Sequence, residues 1–281
     1  RIMIKPMLAH KYDPDRVTWD DYVYMQPKLD GVRCLFTKDG AFSRTGKQFM
    51  NVRHIKEDLE DTFKVLPWIV LDGELYNHNL RNDFEKIISL VRKQKPTDED
   101  RSEARRLTQY HVYDYTGIDY KSGEGMKYRQ RMHALNVSDI YSPSIQHVPA
   151  YICATGAMAK VLHASFLDDG YEGSIMRLNS TYQQKRTYSL MKFKDFHDAE
   201  AEIIGWVEGK GKREGTIGKF VAKDVDGNEF GMPVMDKFTK LQRNFKEMQK
   251  WVGKIATFTY FERTKAKSYR HPLFIAIRNY E

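Results

Sequence analysis

The segment YMQPKLDGVRCLF, residues 24–36, sets Lys28, Asp30, Gly31 and Arg33 where a core strand would close with apolar side chains. A lysine amine attacks an electrophile only when deprotonated, and a free lysine has a pKa of about 10.4. A reactive lysine therefore needs burial or neighbouring positive charge. In an extended chain Lys28 and Asp30 share one face with Arg33 close by, and Gly31 leaves space for a ligand to approach the backbone. Alone, such a cluster is an ordinary solvated strand end. The later run LMKFK adds Lys192 and Lys194 at alternate positions, on one strand face, where like-charge repulsion would favour the neutral form of a neighbouring amine.

These residues need a scaffold, and the composition supplies one. The chain has 281 residues, 41% hydrophobic and 13% aromatic, which fits a folded protein of one large or two modest domains. No apolar run approaches the roughly 20 residues that span a bilayer. RIMIKPMLAHKY lacks the apolar centre of a signal peptide, so the expectation is a soluble, cytoplasmic protein. A net charge of +8 and a pI of 9.2 favour a polyanionic partner, of which nucleic acid is the commonest. Cys34 and Cys153 are too few for a disulfide framework and lack metal-ligand spacing.

The first two thirds mix strand-like YVYMQPKL, WIVLDGELY and QYHVYDYTG with helix-like NVRHIKEDLEDTFKVL and NDFEKIISLVRKQ, the pattern of an α+β domain. Residues 92–107, RKQKPTDEDRSEARRL, carry dense charge without an apolar period and read as a solvated loop or helix end. After MKFKDF the chain turns to short alternating runs between glycine-rich turns, the pattern of a small antiparallel barrel. A boundary is therefore expected at 196, giving domains 1–196 and 197–281. Within the second, residues 237–254 read as a helix, and KIATFTYFERT and LFIAIRNY as strands.

KLDGVR is followed in order by SRTGK with Arg44 and Gly46, LDGELY with Asp72, Gly73 and Glu74, and HVYDY with Tyr113 and Asp114. EGSIMR, with Glu172 and Arg177, and LMKFK complete the series. This order resembles the covalent nucleotidyltransferase superfamily, in particular minimal, viral or phage-like ATP-dependent DNA ligases. The resemblance extends to EGKGKREGTIGKF and YRHPLFIAIRNY in the closing region. It implies a nucleotidyltransferase domain of ATP-grasp-like antiparallel sheets with helices, followed by a C-terminal OB-fold β-barrel. The implied enzyme takes ATP and magnesium, with manganese as a substitute, acts on nicked duplex DNA as a monomer, and serves repair, replication and recombination.

In that scheme Lys28 attacks the α-phosphate of ATP, releases pyrophosphate and carries AMP as a phosphoramidate, which divides one hard transfer into easier ones. AMP then passes to the nick's 5′-phosphate, and the 3′-hydroxyl displaces it. Lys192 and Lys194 neutralise phosphate charge. Glu172 is the first metal-ligand candidate and Glu74, expected at the ribose, the second. Tyr113 would stack on adenine, and the Gln26 amide offers a donor and an acceptor to its edge. Arg33 is expected at the ribose and nick, and Arg44 at the 5′-phosphate, which a guanidinium fork suits. The role of Asp30 is open among positioning Lys28, accepting a proton and holding the turn. Lys210, Lys212, Arg213, Lys265, Lys267, Arg270 and Arg278 would contact DNA phosphates without reading sequence, and residues 92–107 or 232–238 would help enclose the duplex.

The chain departs from the family pattern in two places. Arg278 is followed only by NYE, without the usual basic terminal residue, and motif four ends in Arg177 where lysine is commoner. An RNA ligase or capping-type guanylyltransferase shares the lysine motif. A non-catalytic nucleic-acid-binding protein is the reading from another class, against which Lys28, Glu74, Glu172, Lys192 and Lys194 all stand intact.

Overall fold

The polar interruption after Lys28 is a change of sheet. The structure is a computed structural model describing residues 4–19, 21–194, 197–234, 249–260, 263–264 and 266–278. Strand β1 (Leu8–Lys11) and β2 (Val23–Lys28) belong to one sheet, whereas β3 (Val32–Thr37) and β4 (Gly40–Phe42) belong to a second. Residues 29–31 make the crossing. A Cβ on Gly31 would lie 2.3 Å from the Leu75 carbonyl oxygen and 2.8 Å from Glu74 Cγ, so this step passes too close to its neighbour for any other residue. Lys28 and Arg33 thus stand on different sheets rather than along one strand.

Helices α1 (Arg53–Asp58) and α2 (Glu60–Val65) precede β5 (Ile69–Tyr76), and α3 (Phe84–Val91) and α4 (Asp98–Leu107) precede β6 (Gln109–Gly117). Then come α5 (Tyr128–Asn136), β7 (Ile145–His147), β8 (Tyr151–Ile152), α6 (Gly156–Asp168), β9 (Gly173–Leu178) and β10 (Arg186–Lys194). The first sheet runs β1-β10-β9-β2-β8 and the second β4-β3-β5-β6-β7. The expected antiparallel arrangement holds for most pairs, but β1 pairs with β10 and β6 with β7 in parallel, so both sheets are mixed. Residues 98–107 form a helix where a loop or helix end was expected. Thr97 and Asp100 close a capping box, which starts a helix without an apolar period.

Alternation along the second sheet divides its chemistry. Cys34, Phe36, Leu71 and Leu75 pack in the cluster that holds Ile55, Leu59 and Val91 of the helical region, leaving Arg33, Asp72 and Glu74 for the opposite face. A β-bulge then alters the alternation on β6. Asp72 pairs with Asp114 but Gly73 with Val112, so Tyr113 is the extra residue, and a bulge of this kind re-aims a side chain. Val112 and Tyr115 join the helix-side core while Tyr113 packs with Leu29, Tyr76 and Val148. Gly73 sits at this bulge, and its Cβ would meet the His111 carbonyl oxygen at 2.3 Å. Gly73→Ala is expected to lower unfolding free energy by about 2–3 kcal/mol, measured by urea denaturation. An unchanged midpoint would mean that the two strands part easily here.

Contacts divide the chain into units 1–193 and 194–281. The second contains an antiparallel sheet of order β13-β12-β11-β14-β15, from β11 (His197–Glu208), β12 (Ile217–Lys223), β13 (Glu229–Pro233), β14 (Ile255–Tyr260) and β15 (Leu273–Ile277). Ile203, Phe220, Met232, Phe258 and Phe274 fill its core. Most of the helix expected over 237–254, Lys265, and residues 235–238 of the expected duplex-enclosing loop lie outside the described residues. No helix among the described residues is long and apolar enough to cross a membrane.

Candidate active site

Lys28 ends β2 opposite Gly173 of β9, and the Glu172 amide donates to the Lys28 carbonyl at 3.2 Å. This backbone pairing brings the Glu172 carboxylate onto the Lys28 ammonium as a short ion pair. The Lys28 side chain keeps 20% exposure and that of Glu172 only 3%, so the amine is reachable while its partner is not. Lys192 lies near enough that burial first, and then the charges of Lys28 and Arg186, lower its pKa. Lys28, Glu172 and Lys192 are thereby brought together. Lys194 ends the same strand two residues on.

Arg33 forks onto Asp72, with Nε to Oδ1 and Nη2 to Oδ2 both at 2.6 Å, and Nη2 also donates to the Met7 carbonyl. The Tyr182 hydroxyl donates to Asp72 Oδ2 at 2.6 Å and accepts from the Met7 amide at 3.1 Å. Arg33 is therefore anchored before any ligand arrives, with its guanidinium 5.1 Å from the centre of the Tyr113 ring. The Arg177 guanidinium is also 5.1 Å from that ring. Tyr113 donates to Glu74 Oε2 at 3.1 Å. Burial pushes Glu74 up to about 7, against the opposing pull of Arg33 and Lys28. Burial, with Tyr171 and Asp30 adding to it, also raises the Tyr76 hydroxyl, which places Asp30 by that ring.

Glu74 makes a pH prediction. Below pH 4.5 its carboxyl is neutral folded or unfolded; between there and about 7 it is protonated mainly when folded. Its contribution to stability is thus greatest at low pH and is lost as pH rises through 7. Glu74→Gln keeps an acceptor for Tyr113 and removes the titration. Its stability relative to the parent should rise by about 2 kcal/mol between pH 4.5 and 8, read from denaturant unfolding at each pH; parallel profiles would place Glu74 in contact with water.

Gln26 shares the face of Lys28 on β2 and is 2% exposed. Its amide donates to the Val148 carbonyl at 3.3 Å and accepts from Arg177 Nε at 2.5 Å. Arg177 Nη1 reaches Asp114 Oδ2 at 2.9 Å, and Arg131 of α5 forks onto the same carboxylate at 2.7 and 3.1 Å. Although burial opposes it, Arg131 and Arg177 hold the Asp114 carboxyl below its ordinary pKa. Sequence reasoning missed Tyr182 and Arg131, and quoted Asp72 and Asp114 only as motif letters. The signal available was physical: a buried aspartate needs a cation, and each of these has one.

Arg44 is exposed in a turn over Ser43–Lys47, where Ser43 Oγ accepts from the Thr45 and Lys47 amides and Gly46 takes φ +84°. Lys210 and Lys212 are exposed, but Arg213 donates to the Ile217 and Val234 carbonyls and closes its own turn. Arg278 pairs with Glu200 at 2.5 Å, and Arg270 is half-buried. A cavity of about 730 Å³ beside the Arg44 turn is lined by Leu35, Phe42, Trp68 and Val70. It lacks Lys28 and the carboxylates, so the chemistry and not the cavity volume marks the site.

Glu172 and Glu74 are the carboxylates offered to a metal. Among the described residues no group of three or more His, Cys, Asp or Glu is arranged to hold a metal. One or two carboxylates still suit magnesium, which takes its remaining ligands from substrate phosphates and water.

Two sequence profiles match the chain, the ATP dependent DNA ligase domain over residues 6–194 and the DNA ligase OB-like domain over 208–278. A DNA ligase of African swine fever virus is 28% identical over 232 residues, covering 77% of this chain and 53% of that protein. The chain thus spans about half the length of this viral relative. A DNA ligase of Haemophilus influenzae is 25% identical over 259 residues, covering 90% and 85%. Among solved structures, a Lig E DNA ligase aligns with TM-score 0.76 at 22% identity, over 99% of this chain and all of the other. The bacteriophage T7 ATP-dependent DNA ligase complexed with ATP aligns at 0.56 and 20%, over 98% and 99%. The structural likenesses establish the fold, and the profile match over more than half of the sequence establishes the family: the chain belongs to the ATP-dependent DNA ligases.

Proposed function

We propose that the chain seals nicks in duplex DNA with ATP, through AMP carried on Lys28. The observation that carries this reading is the reachable Lys28 amine held by buried Glu172 beside Lys192. Attack by Lys28 Nζ on the α-phosphate forms a phosphorus–nitrogen bond and expels pyrophosphate. Before that the ammonium must release its proton and leave Glu172, and the positive charge of Lys192 favours the neutral amine. Lys192 and Lys194 then neutralise the phosphate charge. The nick's 5′-phosphate takes AMP from Lys28, and the 3′-hydroxyl attacks that phosphate and expels AMP.

Magnesium, or manganese in its place, would be held by Glu172, with Glu74 as the second candidate, and would neutralise phosphate charge. Tyr113 offers a ring to adenine, Gln26 its edge contact, and Glu74 and Arg33 the ribose. Anchoring by Asp72 means that Arg33 meets the sugar and nick already oriented. Asp30, near the Tyr76 hydroxyl, would hold the turn. Residues 1–196 would carry nucleotide transfer and 197–281 the grip on DNA, with Lys210, Lys212, Arg213, Arg270 and Arg278 as phosphate contacts. The protein would act as a monomer in the cytoplasm.

The test is incubation with magnesium and α-labelled ATP or GTP, followed by transfer to a nicked duplex. Label from ATP should attach to the protein and pass to the 5′-phosphate; attachment from neither nucleotide would sink the enzyme reading, and GTP alone would make it a capping-type enzyme. Arg44 lies outside the Lys28 cluster, so Arg44→Ala should leave protein labelling within about twofold yet slow sealing by about 10²-fold, the scale of a lost charge-assisted contact to the reacting group. Equal loss of both steps would contradict its placement at the nick.

A further inference from the structure

We propose that Arg131 is a positioning residue for base selection: through Asp114 and Arg177 it fixes the Gln26 amide in one orientation and so sets the preference for adenine over guanine. This rests on the nucleotide-transfer reading of the site.

The orientation of Gln26 follows from its neighbours. Arg177 Nε can only donate, so the amide atom facing it at 2.5 Å must be the oxygen. The Val148 carbonyl can only accept, so the atom facing it must be the NH₂ group. Turning the amide over would set nitrogen against guanidinium and oxygen against carbonyl. Only a movable Arg177 would permit the turn, and its own partners hold it in place. Asp114 is fully buried and Arg131 and Arg177 are each 3% exposed. Asp114 Oδ1 takes the Tyr115 amide and Arg131 Nε, and Oδ2 takes Arg131 Nη2 and Arg177 Nη1. Arg131 Nη1 is held in turn by the Met126 and Ser180 carbonyls at 2.5 and 3.0 Å. The chain of contacts from α5 to β2 has a bonded partner at every step.

Base chemistry makes this orientation selective. On its pairing edge adenine presents an amino donor beside a ring-nitrogen acceptor, and guanine presents an oxygen acceptor beside a ring N–H donor. A glutamine free to turn can match either edge. A fixed one offers a donor and an acceptor in one order only, and the wrong base leaves buried polar groups opposed, the situation that gives hydrogen-bonding sites their strongest discrimination.

The test measures initial rates of protein labelling from ATP and from GTP across a concentration range. Lysine at 131 or at 177 retains the charge but has one nitrogen, so it cannot hold two partners at fixed angles. Arg131→Lys and Arg177→Lys are each expected to raise the GTP-to-ATP ratio of kcat/KM by about tenfold, with Arg131→Lys labelling from ATP within about threefold of the parent. Gln26→Glu is acceptor-only and has no orientation to lose, so adding Arg131→Lys to it should leave the ratio where Gln26→Glu alone puts it. A parental ratio in whichever lysine variants fold, or the same shift in the Gln26→Glu background, would overturn the proposal and leave a structural tie. A parent labelled equally by both nucleotides would also overturn it. A parent labelled by neither would instead defeat the nucleotide-transfer reading on which it rests.

Discussion

Lys28→Ala is expected to reduce AMP transfer to the protein, and nick sealing with it, by at least about 10⁴-fold, to the detection limit. Every later step needs AMP on this nitrogen, and no second amine can take over from the same strand position. The fold should survive. Lys28 is partly exposed at the end of β2, so water can reach the space it leaves and Glu172 can take up a proton. Lys28→Arg separates charge from nucleophilicity. It keeps a cation for Glu172, but a guanidinium with a pKa above about 12 does not deprotonate at working pH. The arginine variant should match the parent in thermal unfolding and match the alanine variant in inactivity. Labelling of either above about one per cent of the parental rate, under single-turnover conditions, would move the nucleophile elsewhere.

The second large effect is on stability. Asp114→Ala removes the carboxylate that Arg131 and Arg177 share, both almost wholly buried. Breaking a buried ion pair by removing one partner costs about 3–5 kcal/mol because the other charge stays buried and uncompensated. Here two guanidiniums lose their partner. A domain of this size loses roughly 2–4 °C in Tm per kcal/mol, so a fall of about 10 °C or more is expected by calorimetry. Asp114→Asn keeps the shape and an acceptor and should lose less. Equal stability of the alanine variant and the parent would mean that water replaces the carboxylate, and the tie from α5 through Arg177 to Gln26 would fail with it.

The residues that gave these predictions were legible in different degrees. KLDGVR, LDGELY, EGSIMR and LMKFK were legible as motifs, and Lys28, Glu74 and Lys192 fall at a strand end or on the strand positions that their spacing suggests. QYHVYDYTG coincides with β6 from Gln109 to Gly117, but its bulge was not legible. Strict alternation puts Tyr113 and Asp114 on opposite faces, whereas one extra residue turns both toward the first sheet. Lys28 and Arg33 misled in the same way, since a single run of sequence conceals a change of sheet whose cause, the carbonyl of Leu75 against Gly31, is 44 positions away along the chain.

The charged segment 92–107 was misread for a different reason. Its helix is set by a local cap at Thr97 and Asp100 and not by apolar spacing. Arg131 could not be found at all from motif spacing. Its importance lies in Asp114, 17 residues earlier, and only burial reveals that this aspartate requires cations. Arg177, which departs from the commoner lysine, makes sense in the same terms. A guanidinium has the geometry to serve Gln26 and Asp114 together, and a lysine does not.

In the proposed reaction Lys28 Nζ carries the nucleotide. The most direct measurement is mass spectrometry of the protein after incubation with ATP and magnesium and removal of free nucleotide. The expected result is one added adenylyl group, lost on acid treatment as a phosphoramidate is, and located by peptide mapping on Lys28. An adduct mapped to any other residue, or no adduct on protein that nevertheless seals nicks, would contradict it.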